Sequence, residues 1–285
     1  MENCIEIKGL TKKYEDFKLE NVDFTVKKGS VMGFVGENGA GKTTTIKAIL
    51  NLIKKDSGSI NIFGLDNIES EKAIKEQIGV VFDDINFHET LNIKEINMIM
   101  KNIYSAWDEK KFFKMTEEFD LPNKKSIKNF SRGMKMKLSI SVALSHNAKL
   151  LILDEATSGL DPIVRNEILD IFLEFMEDED HTILVSSHIL NDLERIADYI
   201  TFIHKGKIVF SKEKYELMET HGMLKCGIND KQKIDKQYIV GERKSSFGYE
   251  ILVKNREECR EIYNGMVIDK PTIEDIVLFY VRGNE

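Results

Sequence analysis

Gly36-Glu37-Asn38-Gly39-Ala40-Gly41-Lys42-Thr43-Thr44 lies between the apolar run Val31-Met32-Gly33-Phe34-Val35 and a stretch where Ile46, Ile49, Leu50 and Ile53 recur at i, i+3, i+4 and i+7. The run has the composition of a buried strand, and the spacing is that of one helix face. A glycine-rich loop therefore joins a strand to the start of a helix. Its glycines let the backbone curl closely, so that successive N–H groups and the positive end of the helix point at one anion. Lys42 places a point charge beside that anion, and the Thr43 hydroxyl is a hard oxygen ligand suited to magnesium. The stretch implies a site for a nucleoside triphosphate with its Mg2+.

Composition sets the limits around this loop. With 285 residues the chain can bury one large core plus an appendage. A formal net charge of -7 argues against a nucleic-acid partner, which would call for a basic face. Cys4, Cys226 and Cys259 are too dispersed for a metal or redox pair, which fits a reducing compartment and three inert thiols. No charged leader opens the sequence, so no signal peptide is expected. No apolar run approaches the roughly 18 residues of a membrane span. Any membrane role is thus expected to fall to another polypeptide.

Along the chain the pattern changes three times. Residues 1 to about 82 suggest strands (Cys4 to Ile7, Leu19 to Val26, Val31 to Val35, Gly58 to Phe63) and one helix. From about 84 to 147 the pattern becomes helical, with Ile93 to Tyr104, Lys110 to Phe119 and a helix opening at Ser131. Strands return at Leu150 to Leu153, Thr182 to Ser186 and Tyr199 to His204. This alternation implies an α/β sheet interrupted by a helical insertion. Beyond residue 213 a small α+β appendage is expected, giving units at 1–213 and 214–285. Its last helix, from Thr272, carries Ile273, Ile276, Val277, Tyr280 and Val281 on one face. That stripe is expected to pack on the appendage itself or to meet a second copy.

The strand Leu150-Leu151-Ile152-Leu153 ends in Asp154-Glu155, two carboxylates at the carboxyl edge of a buried strand, where open α/β sheets bind ligands. Asp154 suits magnesium, and Glu155 suits polarisation of an attacking water. Asp161-Pro162 is by itself an N-cap followed by proline at the first helical position.

Taken in order, these motifs resemble the nucleotide-binding subunit of an ABC transporter over residues 1 to about 211. The resemblance implies a P-loop ATPase core with an antiparallel β-subdomain and a helical insertion. In it Gly36, Asn38, Gly39, Ala40, Gly41, Lys42, Thr43 and Thr44 contact the nucleotide, and Asp154 with Thr43 holds the metal. Glu155 is the base, Asp161 belongs to the D-loop, His188 senses the γ-phosphate and Tyr14 stacks on adenine. It further implies a head-to-tail pair, a homodimer or a pairing with a paralogue, sandwiching two ATP beneath membrane permease subunits at the cytoplasmic face. Phe87, Met98 and Met100 of the helical insertion are candidate contacts for the membrane partner.

Three positions depart from the family pattern. The signature, usually Leu-Ser-Gly-Gly-Gln, is Phe130-Ser131-Arg132-Gly133-Met134. Ser131 and Gly133, used by the family on the partner's phosphate, are kept, and Arg132 adds a cation beside them. Asp83 stands where many relatives carry the Q-loop glutamine; a carboxylate there can bind magnesium. Ala156 replaces the proline that commonly follows the acidic pair. Arg132 and Asp83 resemble exporters of the bacitracin-resistance and phenol-soluble-modulin kind, which implies an exported peptide, toxin or antimicrobial. The rival class is a non-transport ABC ATPase acting in translation or on DNA. Translation factors of that type carry two cassettes, and chromosome proteins a long coiled coil, whereas this chain has one motif set and no sustained heptads. A nucleotide-dependent regulatory subunit is a third reading.

Overall fold

The computed structural model describes residues 2–84, 87–245 and 248–282. β1 (Asn3–Lys13), β2 (Lys18–Lys27) and β3 (Val31–Val35) lead to α1 (Lys42–Ile49), β4 (Ser57–Ile62), β5 (Leu65–Asp66), α2 (Glu71–Lys75) and β6 (Ile78–Val81). Then come α3 (Ile93–Ile103), α4 (Glu109–Glu118), α5 (Arg132–Leu144), β7 (Leu150–Asp154), α6 (Pro162–Phe175), β8 (Thr182–Ser187), α7 (Leu190–Ile196), β9 (Tyr199–His204) and β10 (Lys207–Glu213). The chain finishes with α8 (Lys214–Thr220), β11 (His221–Cys226), β12 (Ile239–Ser245), β13 (Gly248–Lys254), α9 (Arg256–Ile262), β14 (Val267–Asp269) and α10 (Ile273–Arg282).

The central sheet has the order β10-β9-β3-β8-β7-β6, parallel except for β10. Every residue of β3, β7 and β8 is buried, which is why these strands are near-continuous apolar runs rather than alternating ones. Register brings Val35 beside Ser187 and Asp154 beside Ser186, so the carboxyl ends of β3, β7 and β8 lie level. One face is covered by the antiparallel sheet β2-β1-β4-β5 with α1 between, through a core that includes Ile5, Leu19, Ile46, Ile60 and Leu184. β1 runs on to Lys13, well past the expected Ile7, because register shifts let it pair with both β2 and β4.

The helical insertion has its own core of Ile93, Ile96, Met100, Phe112 and Leu138, with Phe87 packed against it. Asn92 starts α3 with a capping box: its side chain accepts from the N–H groups of Lys94 and Glu95, and Glu95 accepts from the Asn92 N–H. This corrects one expectation. Met100 shares the helix face of Ile93 and Ile96 and is 8% exposed, so of the three residues expected to meet a membrane partner Met100 is core, Phe87 is half-buried and Met98, 58% exposed, is presented on the surface.

The third sheet, β12-β13-β11-β14, is antiparallel throughout. β10 and β14 had no signal in the sequence; both are edge strands with one buried residue each, too few inward positions to mark a half-buried strand by its period. The terminal stripe also departs from expectation. Ile273, Ile276, Val277 and Phe279 are buried in one cluster that contains Leu252 of the third sheet together with Leu193, Ile196 and Phe210 around the central one. The helix packs between the two sheets, which leaves that stripe covered in the single chain.

Candidate nucleotide site

The loop before α1 takes its shape from close contacts. A Cβ on Gly36 would lie 2.5 Å from the Ile203 carbonyl oxygen, and Gly41 has φ 113°, in the left-handed region that favours glycine. Gly41 is also the N-cap of α1 and provides no side-chain cap, so the first N–H groups of α1 have no side-chain acceptor at this end. Lys42 turns inward and is 5% exposed. Its Nζ donates to the carbonyls of Gly36 at 2.7 Å and Glu37 at 3.3 Å. Thr43, Asn38 and Gly39 are exposed on the loop, while Ala40 is buried and Thr44 half-buried.

β7 delivers the carboxylates to the same place. Asp154 is 5% exposed and accepts a 2.5 Å hydrogen bond from the Ser186 hydroxyl on β8. Glu155 adopts φ 56°, a left-handed conformation costing a non-glycine residue of order 1 kcal/mol. That turn aims its carboxylate back at the loop. Glu155 Oε1 is buried, has no hydrogen-bond partner, and lies 3.3 Å from Lys42 Nζ; Glu155 Oε2 is 2.5 Å from His188 Nδ1. Thus Lys42, Glu155 and His188, from three distant parts of the chain, meet at one point. Asp154 and Thr43 present the hard oxygen donors magnesium prefers, and Glu155 Oε1, ion-paired to Lys42 but without a hydrogen bond, lies alongside.

The other expected residues group elsewhere. Ser131 caps α5, accepting from Met134 N–H at 3.2 Å, and Gly133 lets the start of α5 lie close to Val164 of α6. Asp161 caps α6 by accepting from the Ile163 and Val164 N–H groups, both at 3.1 Å. A cleft of about 380 Å³ is lined by Ser131, Arg132, Gly133, Gly159, Leu160 and Asp161. The Arg132 guanidinium covers Gly159 and forms an ion pair with the Asp83 carboxylate. Tyr14, 48% exposed, sits on the β1–β2 hairpin; its ring is 6.5 Å from that of Phe17, which in turn abuts Gly41.

Sequence reasoning missed Ser186, which orients Asp154, and Phe17, which wedges the hairpin against the loop. It also missed buried Asp192 of α7, which accepts from the Thr157 hydroxyl at 2.8 Å and from Arg165 Nε at 2.6 Å. Ser and Asp at these places carry no local pattern. Their partners are 32, 35 and 27 positions away.

A phosphate loop on β3, an acidic pair on β7 and a histidine after β8, at the carboxyl edge of one sheet, define a nucleoside triphosphatase of the P-loop class. The profile of the ABC transporter family matches residues 19–158. The bacitracin transport ATP-binding protein BcrA of Bacillus licheniformis is 38% identical over 212 residues, covering 73% of this chain and 69% of that protein. The lantibiotic transport ATP-binding protein SrtF of Streptococcus pyogenes is 37% identical over 212 residues, covering 73% of this chain and 90% of that protein. A solved structure of the ATP-binding subunit of an ABC transporter superposes with TM-score 0.68 at 28% identity, over 76% of this chain and 92% of that one. The chain belongs to the ABC transporter family, as one of its ATP-binding and ATP-hydrolysing subunits. Among the described residues, no helix is long and apolar enough to cross a membrane.

Proposed function

We propose that this chain is the ATPase motor of an exporter, working in pairs beneath separate membrane permease subunits at the cytoplasmic face and driving out a peptide, toxin or antimicrobial. The cargo class follows the relatives named for bacitracin and lantibiotic transport. The observation that carries the motor reading is the meeting of Lys42, Glu155 and His188. Residues 1–213 are the motor and 214–285 the accessory unit.

In this reading the phosphate oxygens of ATP replace Glu155 as the counter-charge of Lys42, while the N–H groups of Gly39, Ala40, Gly41, Thr43 and Thr44 cradle them. That exchange frees the Glu155 carboxylate to accept a proton from the attacking water, and His188 holds the carboxylate in place. Asp154 and Thr43 hold Mg2+, with Asp83 able to join when Arg132 leaves it; the metal supplies charge to neutralise the phosphates. Tyr14 stacks on adenine. Two copies close head to tail, so that Ser131, Arg132, Gly133 and Asp161 of one meet the nucleotide of the other. Both halves of the site are on one chain, which makes a homodimer chemically sufficient; pairing with a paralogue uses the same surfaces. The exposed face of α3 at Met98 is the part of the helical insertion offered to the permease.

Glu155→Gln tests the motor reading. It keeps the size and removes the base, so ATP is expected to accumulate in a stable dimer on gel filtration while phosphate release stops. A monomeric variant with ATP, or one turning over at the parent rate, would refute the assignment. Arg132→Gly is expected to weaken this ATP-driven dimer more than it weakens ADP binding, by light scattering against nucleotide titration. The export reading is checked by asking whether a multi-spanning membrane protein is encoded beside the gene and co-purifies with the chain, and whether a Lys42→Ala strain loses resistance to a peptide antibiotic; the absence of both would refute it.

A further inference from the structure

α7 is seven residues long and begins two positions after His188. A helix this short has little intrinsic stability and takes its position from what it touches. On its inner side Leu193 packs so near β3 that a Cβ on Gly33 would be 3.2 Å from Leu193 Cδ1. At its start Asp192 is tied to Thr157 and Arg165. Its remaining side is held by the end of the chain. Glu194 Oε1 accepts the Ile273 N–H, the first of α10, at 2.6 Å. The Glu194 carbonyl accepts from Lys214 Nζ at 2.8 Å, and the Lys214 N–H donates to the Asp198 carbonyl at 2.8 Å. Ile273 and Ile276, both 0% exposed, lie in the same apolar cluster as Leu193 and Ile196. Tyr280 closes the far end of α10 on Phe210, ring centroids 5.2 Å apart.

We infer that α10 belongs to the catalytic unit: it clamps α7 and so holds His188 beside Glu155, which makes Glu194 and Ile276 positioning residues for ATP hydrolysis. The physical reason is the lever. His188 is nearly half exposed, and the described residues give its ring one hydrogen bond, to Glu155. Its backbone is fixed by β8 on one side and α7 on the other. Loosening α7 lets the imidazole drift, and small misplacements of an orienting group lower the rate of the chemical step while leaving substrate binding largely intact. The accessory unit then acts on turnover through a packed helix, with no contact to nucleotide. This inference rests on the reading of Glu155 and His188 given above.

The test uses the full chain. Glu194→Ala deletes the acceptor at the start of α10, and Glu194→Gln keeps a carbonyl oxygen there. Ile276→Val removes one methylene from the α7–α10 seam and preserves folding should the alanine variant fail to fold. Steady-state hydrolysis is expected to show kcat down by about tenfold for Glu194→Ala and a smaller loss for Ile276→Val, with KM for ATP within about twofold, and recovery in Glu194→Gln. On a His188→Ala background the same substitutions are expected to cause no further fall in kcat, because the group they position is gone. Unchanged kcat in both variants, or losses that multiply fully with that of His188→Ala, would overturn the inference. His188→Ala alone turning over at the parent rate would instead sink the underlying assignment of His188, and the two failures are separately visible.

Discussion

Single residues here are read by what surrounds them. Asp83 and Arg132 form an ion pair with both side chains about half exposed, so screening leaves it worth less than about 1 kcal/mol to the fold. Asp83→Asn is accordingly expected to move the urea midpoint of the nucleotide-free protein little; a loss of several kcal/mol would show that the pair is a structural tie. The cysteines divide by burial. Desolvation raises the Cys4 and Cys259 thiols to about 11, because a buried thiolate loses its hydration. Thiolate forms only as pH rises toward that value, so at pH 8 a disulfide-exchange reagent is expected to titrate half-buried Cys226 first and leave the other two until the protein unfolds. Rapid reaction of all three in the native protein would contradict this.

At the scale of elements, the caps decide where helices begin. Ser131 starts α5 and Asp161 starts α6 through ordinary N-cap hydrogen bonds, and both caps line the cleft of the signature motif. Ser131→Ala is expected to cost about 1 kcal/mol of unfolding free energy from the cap alone. Ser131→Asn, which can cap, is expected to restore that stability without restoring ATP-driven dimerisation if the hydroxyl also meets the partner's phosphate. Equal recovery of both properties would reduce Ser131 to a cap. The elements legible in advance were those with a strong local signal: the continuous apolar runs of the buried strands at Val31, Leu150 and Thr182, and the helical period of the α3 face and of α10, the last within a residue or two. β10 and β14 were illegible because an edge strand with one buried residue carries no period, and α7 because seven residues hold too few positions to declare a face.

Across the whole molecule, one apolar cluster runs from Val31 and Leu153 through Leu193 and Phe210 to Leu252 and Phe279. Units that share a core unfold together, so calorimetry of the full chain is expected to give a single transition covering residues on both sides of 213. Two resolved transitions would show independent units. Two buried histidines set a pH limit. His146 lies between the carbonyls of Ile78 at 3.0 Å and Val142 at 3.2 Å, and His221 contacts the Leu217 carbonyl at 2.9 Å. Burial lowers both below the ordinary 6.5. The unfolded chain therefore binds imidazole protons at a higher pH than the folded one. Their contribution to stability is full above about 6.5 and declines as pH falls through the depressed folded values, by up to about 1.4 kcal/mol per pH unit for each. The thermal midpoint is expected to drop between pH 7 and 5.5 and to drop less in His221→Gln; equal drops would remove His221 from the account.

The sequence by itself determined the class of the protein and its chemistry. The phosphate loop and the acidic pair are short contiguous motifs, each at the end of a strand, whereas His188 stands alone and was singled out only by the resemblance to the family. Contiguity makes such signals readable without a fold. Only the tertiary structure decided that Glu155 faces both Lys42 and His188, that Arg132 rests on Asp83, and that the terminal stripe wedges between two sheets against α7. Glu155–His188, Arg132–Asp83, Glu194–Ile273 and Lys42–Glu155 are contacts between residues 33, 49, 79 and 113 positions apart, fixed by strand order and packing. An apolar stripe says that a face is buried, and nothing in its spacing names the surface that covers it.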